Sequence, residues 1–174
     1  MTAEAWDWAY ARFKKKIGHR SNVEIFDIAL SDKNGEIPFY QSGGNIGDFV
    51  EELPSGWDLS GSISKPKNHF RLFPGISFPH EIQVKTKTLD SWCAEQGIDS
   101  VDFIWMDVQG AERSVFHGGA ATLAKTRFLY TEYSNYELYE GQPSLQQILD
   151  ELITFRLVTR YPGDVLLQND HAQG

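Results

Sequence analysis

The spacing of apolar residues changes period along the chain, and each change marks an element. Trp6, Ala9, Tyr10, Phe13 and Ile17 recur at three- and four-residue spacing, which predicts an N-terminal helix; Lys14 to Lys16 suit its last turns and Gly18 its end. The β-branched and aromatic run "NVEIFDIAL" (22–30) predicts a strand. Asn34-Gly35 then signals a hairpin turn, and "IPFYQ" (37–41) a returning strand that Pro38 restricts to a sheet edge or a strand start. From about 41 to 80 the period is lost, and Gly, Ser and Pro predict one long irregular loop.

Regular patterning resumes with "EIQVKT" (81–86) as a strand and "LDSWCAEQG" (89–97) as a helix ended by Gly97. The stretch "VDFIWMDV" (101–108) is almost unbroken in its apolarity up to Asp107, as expected of a central parallel strand buried on both faces. A helix is expected from about Ala111 to Ala124, and a strand over "RFLYTEY" (127–133). In "PSLQQILDELI" (143–153), Leu145, Ile148, Leu149 and Leu152 share one helical stripe, with Pro143 in the first turn. The chain finishes with "RLVTRYPGDVLLQN" (156–169), two strands around Pro162-Gly163.

Strands alternating with helices predict one α/β domain over 1–174, with a largely parallel sheet and an antiparallel hairpin at its C-terminal end. Ligands in such sheets lie outside the carboxyl ends of the strands. Asp107 and Glu132 both end predicted strands at that edge, where two carboxylates can divide acid and base work or bind a cation. Asp107 can equally cap the next helix, and Glu112 suits a helix's first turn. Gly110 permits the tight turn between them.

Composition narrows the partners. The 174 residues, 41% of them hydrophobic, suffice for a buried core, and a formal charge of −8 argues against a nucleic-acid backbone as partner. No apolar run approaches the roughly 20 residues that cross a bilayer, and the N-terminus lacks signal-peptide features, so no membrane partner is expected. Cys93 is the single cysteine, which excludes an intrachain disulfide and fits a cytoplasmic location. The five histidines lack zinc-ligand spacing, so no metal is expected. His69 stands in a polar loop, "SKPKNHF", whose ordinary reading is a solvated surface. Glycines in "SGGNIGDFV" (42–50) suggest a phosphate-binding turn, but Pro38 before it and Pro54 after it fit that motif poorly, and an irregular loop is the better reading.

Six blocks, "ALSDKNGEIPFY", "SGSISKPKNH", "TLDSWC", "DFIWMDVQGAE", "TRFLYTEYSNYELYEGQ" and "DVLLQN", follow one another in the order of FkbM-type methyltransferases. The resemblance covers the chain from about residue 22. It implies a Rossmann-like class I fold that uses S-adenosylmethionine, usually to methylate oxygen. It places Ala29, Leu30 and Asp27 beside the cofactor's adenine, and Asp107, Gln109 and Glu112 at the methyl-transfer side. Glu132 and Tyr133 become further pocket residues, and His69 belongs to a substrate-side cover. Asp107 and Glu132 are the expected catalytic pair, acting on a small-molecule or sugar acceptor.

The resemblance also implies a departure. Class I order is 3-2-1-4-5-7-6, and the Gly-rich turn after strand one and the ribose-binding acid after strand two have no counterpart here. A sheet lacking its first two strands has two unpaired edges, which invite self-association. The expected state is therefore an N-terminally incomplete domain. It would be an inactive fragment, a half completed in a complex, or a sheet closed by direct pairing across the gap.

Overall fold

The computed structural model describes residues 4–44 and 59–172, with side chains from Tyr10 onward. Among these residues no helix is long and apolar enough to cross a membrane. The N-terminal helix forms as expected, α1 at Glu4–Ile17. The strand predicted over 22–30 survives only as β1, Ala29–Leu30. It does not form a hairpin with β2, Gly35–Gly44. Both instead flank β3, Ile76–Lys87, in the order β1-β3-β2, with β1 parallel and β2 antiparallel to it. The Asn34 side chain explains the failed hairpin. Its Oδ1 accepts the Thr88 N–H and the Ser91 hydroxyl, each at 2.8 Å, so it braces the start of the helix after β3 rather than a tight turn.

Pro38 does lie on an edge strand, since β2 is outermost in this sheet. The irregular stretch is shorter than 41–80, because β2 continues to Gly44, β3 begins at Ile76, and a one-turn helix α2 occupies His69–Leu72. Most of the glycine segment 42–50, and Pro54, lie outside the described residues.

After α3, Leu89–Gln96, Gly97 closes the helix with φ +67°, as the sequence suggests. The remaining strands, β4 (Val101–Met106), β5 (Thr126–Glu132), β6 (Phe155–Arg160) and β7 (Asp164–Asn169), build a second sheet in the order β4-β5-β7-β6. Only β4–β5 is parallel in it; β5–β7 and β6–β7 are antiparallel, the latter pair being the expected C-terminal hairpin. The fold is thus α/β with two mixed sheets, not one largely parallel sheet.

Nor is β4 a central strand buried on both faces. Its one sheet neighbour among the described strands is β5, and Phe103 and Trp105 are 53% and 74% exposed. Met106, at the end of its other face, joins the core with Leu129 of β5 and Val165 and Leu167 of β7. The gap foreseen between the two halves of the sheet is not closed by direct pairing, since β1 and β4 are edges of separate sheets.

The helix expected over 111–124 divides into α4, Glu112–Gly118, and α5, Ala120–Ala124. At Gly118 a Cβ would stand 2.1 Å from the Ser31 carbonyl oxygen, so the chain after β1 presses against the break. Asp90 supports the restart by accepting the N–H groups of Ala121 and Thr122. Likewise α6, Leu145–Glu151, begins with a Ser144–Gln147 capping box, which places Pro143 before the cap rather than in the first turn. Its stripe holds: Ile148 is fully buried, while Leu145 and Leu149 pack against the core. Cys93 is buried there as well.

Candidate functional site

Register brings the acids together. Met106 pairs with Thr131, so Asp107 and Glu132 leave β4 and β5 at the same carboxyl edge. Antiparallel β7 adds a third acid there, because Asp164 pairs with Glu132. Gln109 links the first two: its Nε2 donates to Asp107 Oδ1 at 2.7 Å and to Glu132 Oε2 at 3.1 Å. Its φ of +48° is the one positive value at a non-glycine among the described residues, an uncommon conformation for an L side chain. Backbone strain of this kind is tolerated only where the surroundings hold it.

Several contacts hold this turn. Gly110, at φ +91°, donates its N–H to Glu112 Oε1 at 3.1 Å and accepts the Ser64 hydroxyl at 3.3 Å. A Cβ at Gly110 would lie 2.6 Å from Tyr139 Cβ, so the turn rests directly on that tyrosine. Tyr139 is 1% exposed, and its one hydroxyl hydrogen is shared between the Ser60 carbonyl at 2.8 Å and Gln109 Oε1 at 3.2 Å.

The electrostatics of the edge follow from burial and crowding. Glu112 is wholly buried, and its Oε2 has no hydrogen-bond partner. Burial, with a smaller push from Asp107, raises it from the ordinary carboxyl range to about 7. Glu132 is raised to about 7 by burial first, then by Asp107, Asp164 and Glu112. A carboxyl titrating near neutrality can take a proton and give it back, as general acid–base work requires. Asp107 itself is exposed.

Other residues singled out from the sequence lie elsewhere. His69 is 3% exposed, with its ring against Phe73, Phe78 and Tyr139, its Nδ1 without a partner, and its pKa lowered by burial. It therefore faces an aromatic cluster, connected to the acid edge through Tyr139. Tyr133 is buried, donating its hydroxyl to the Tyr161 carbonyl and accepting from Arg160 Nε at 2.7 Å, which ties β5 to the β6–β7 turn. Ala29 and Leu30 lie in β1, Leu30 packs against the core, and Asp27 is exposed just before it. Lys67 pairs with Glu137 on the surface.

Tyr139, Ser60 and Asp164 were not among the residues singled out. Tyr139 carries no chemical signature in the sequence, and only the close approach of Gly110 reveals its place. Beyond Glu132 the chain also borders a polar cleft of about 260 Å³, lined by Arg113, Ser134, Asn135, Glu137, Gln142 and Gln147 among others.

Residues 9–161 match the family described as the methyltransferase FkbM domain. The 2-O-methyltransferase NoeI of Sinorhizobium fredii (strain NBRC 101917 / NGR234) is 51% identical over 165 residues, which cover 92% of this chain and 65% of that protein. The chain thus spans slightly less than two thirds of that relative's length. No solved structure matches it.

Proposed function

The chain belongs to the FkbM methyltransferase family, and we propose on that premise that its acid edge serves S-adenosylmethionine-dependent methylation of a hydroxyl on a small molecule or sugar. The observation that carries this reading is the Gln109 bridge, which holds Asp107 and Glu132 at one strand edge. The relative's description as a 2-O-methyltransferase supports an oxygen acceptor. The order β4-β5-β7-β6 supports the Rossmann-like class I reading, since it repeats the second half of that sheet.

The donor set suits the cofactor by charge. When bound, S-adenosylmethionine supplies a methyl group on a cationic sulfonium, and carboxylates at the strand edge complement that charge. Asp107 and Gln109 would hold it at the methyl-transfer side, with Ala29, Leu30 and Asp27 toward the adenine. Glu132 would accept the acceptor's hydroxyl proton, and Asp107 would orient that hydroxyl. Positioning supplies most of the rate in a displacement of this kind. Glu112 shapes the turn from beneath, while the hydroxyl- and amide-lined cleft beyond Glu132 offers partners to a polar acceptor.

Calorimetric titration of the chain with S-adenosylhomocysteine tests the reading. Saturable micromolar binding is the expected result. A second reading, a partner-dependent half or inactive fragment, draws on the β1 and β4 edges that no described strand covers. No heat of binding at any concentration would favour it.

A further inference from the structure

An amide side chain has one accepting end and one donating end, and at the acid edge its orientation decides whether it relieves or adds to repulsion. Reversing the Gln109 amide would place its carbonyl oxygen against two carboxylates. The described geometry has the opposite arrangement, with Nε2 toward Asp107 and Glu132 and Oε1 toward the Tyr139 hydroxyl. Tyr139 is well placed to impose it. Its ring is locked against Gly110, His69 and Phe78, and its one hydroxyl hydrogen lies between two acceptors, the Ser60 carbonyl at 2.8 Å and Gln109 Oε1 at 3.2 Å. The phenol stays protonated, because burial pushes it above its ordinary range, and so it remains a donor.

We propose that Tyr139 is a positioning residue that acts through Gln109: its hydroxyl aims the amide so that one N–H reaches each carboxylate and keeps Asp107 and Glu132 side by side. Its effect on turnover rests on the methyl-transfer reading; its effect on the carboxylates does not. Glu132 faces Asp107 from the end of β4, Glu112 from α4 and Asp164 from β7, all of them acids that favour its protonated form. The Gln109 N–H works against them by stabilising the charged form.

The test is a carboxyl-carbon NMR titration of Glu132 in the whole chain, comparing wild type, Tyr139→Phe, Gln109→Met and the double variant. Phenylalanine keeps the ring and removes only the hydroxyl. Tyr139→Phe is expected to raise the Glu132 midpoint by about half a pH unit or more, roughly a threefold change in proton affinity. In the Gln109→Met background the same substitution should add nothing. An unmoved midpoint in Tyr139→Phe, or an equal shift in both backgrounds, overturns the proposal.

Should the phenylalanine variant fail to fold, the wild type still decides. The Gln109 amide hydrogens and the Tyr139 hydroxyl hydrogen are both expected to shift in step with the Glu132 titration, and a Tyr139 hydroxyl insensitive to it overturns the assignment. In an active preparation, kcat should fall with KM unchanged and the acid limb of the pH profile should move upward in Tyr139→Phe. A wild type that neither binds S-adenosylhomocysteine nor transfers methyl groups would refute the functional reading, while the titration would still judge Tyr139.

Discussion

The buried carboxylate of Glu112 accepts the backbone N–H of Gly110 at 3.1 Å. The acid that opens α4 therefore closes the turn leaving β4, the same turn that presents Asp107 and Gln109. Its second oxygen lacks a hydrogen-bond partner, so ionisation of this group is penalised by the fold.

A pH dependence of stability follows from Glu112. Its folded value of about 7 lies above its ordinary 4.5, so the native state binds more protons between these limits than the unfolded chain does. Its contribution is fully present below the unfolded value and is lost as pH rises through the folded one. Glu112→Gln, which keeps an acceptor for Gly110, should match wild type near the lower limit. Well above the upper limit it should be the more stable by on the order of 3 kcal/mol. Urea unfolding of both proteins across this window measures it; parallel curves would refute the argument.

Gly110→Ala should be far more costly than an alanine at another left-handed glycine. Gly97 has φ +67° with no atom within 4 Å of an added Cβ, whereas at Gly110 the added carbon meets Tyr139 at 2.6 Å. Backbone strain alone costs about 1 kcal/mol at Gly97, and strain with overpacking about 3 kcal/mol or more at Gly110. Denaturation midpoints of the two variants give the comparison, and equal losses would contradict it.

Asp107→Asn separates chemistry from folding. The side chain is exposed, and asparagine preserves an acceptor for Gln109, so melting should change little. Under conditions where wild type transfers methyl groups, loss of its orienting role should lower turnover by about 10²-fold. Full activity in the variant would remove Asp107 from the mechanism.

The edge of β4 that no described strand covers predicts self-association. Phe103 and Trp105 project from its exposed face, and no lysine or proline blunts the strand. Sedimentation should show concentration-dependent assembly that Phe103→Lys with Trp105→Lys reduces, without a drop in melting temperature, because neither side chain enters the core. Monomeric wild type at every concentration would exclude this role for β4.

Local signals in the sequence were reliable where the responsible interactions are themselves local. Gly97 ended α3, the Leu145–Leu152 stripe faced the core, and Pro162-Gly163 separated β6 from β7. They misled where a distant partner competed. Asn34 was drawn to Thr88 and Ser91, and the 111–124 helix broke where the Ser31 backbone pressed on Gly118.

By its order of apolar runs and acids alone, the chain determined an α/β fold and two carboxylates at strand ends, because strand length and side-chain alternation are properties of neighbouring residues. Tertiary structure decided that those carboxylates meet through Gln109, that Tyr139 stands behind it, and that β4 is an edge among the described strands. Each of these depends on which strands pair and on how closely backbones approach, and such relations between remote residues leave no trace in local spacing.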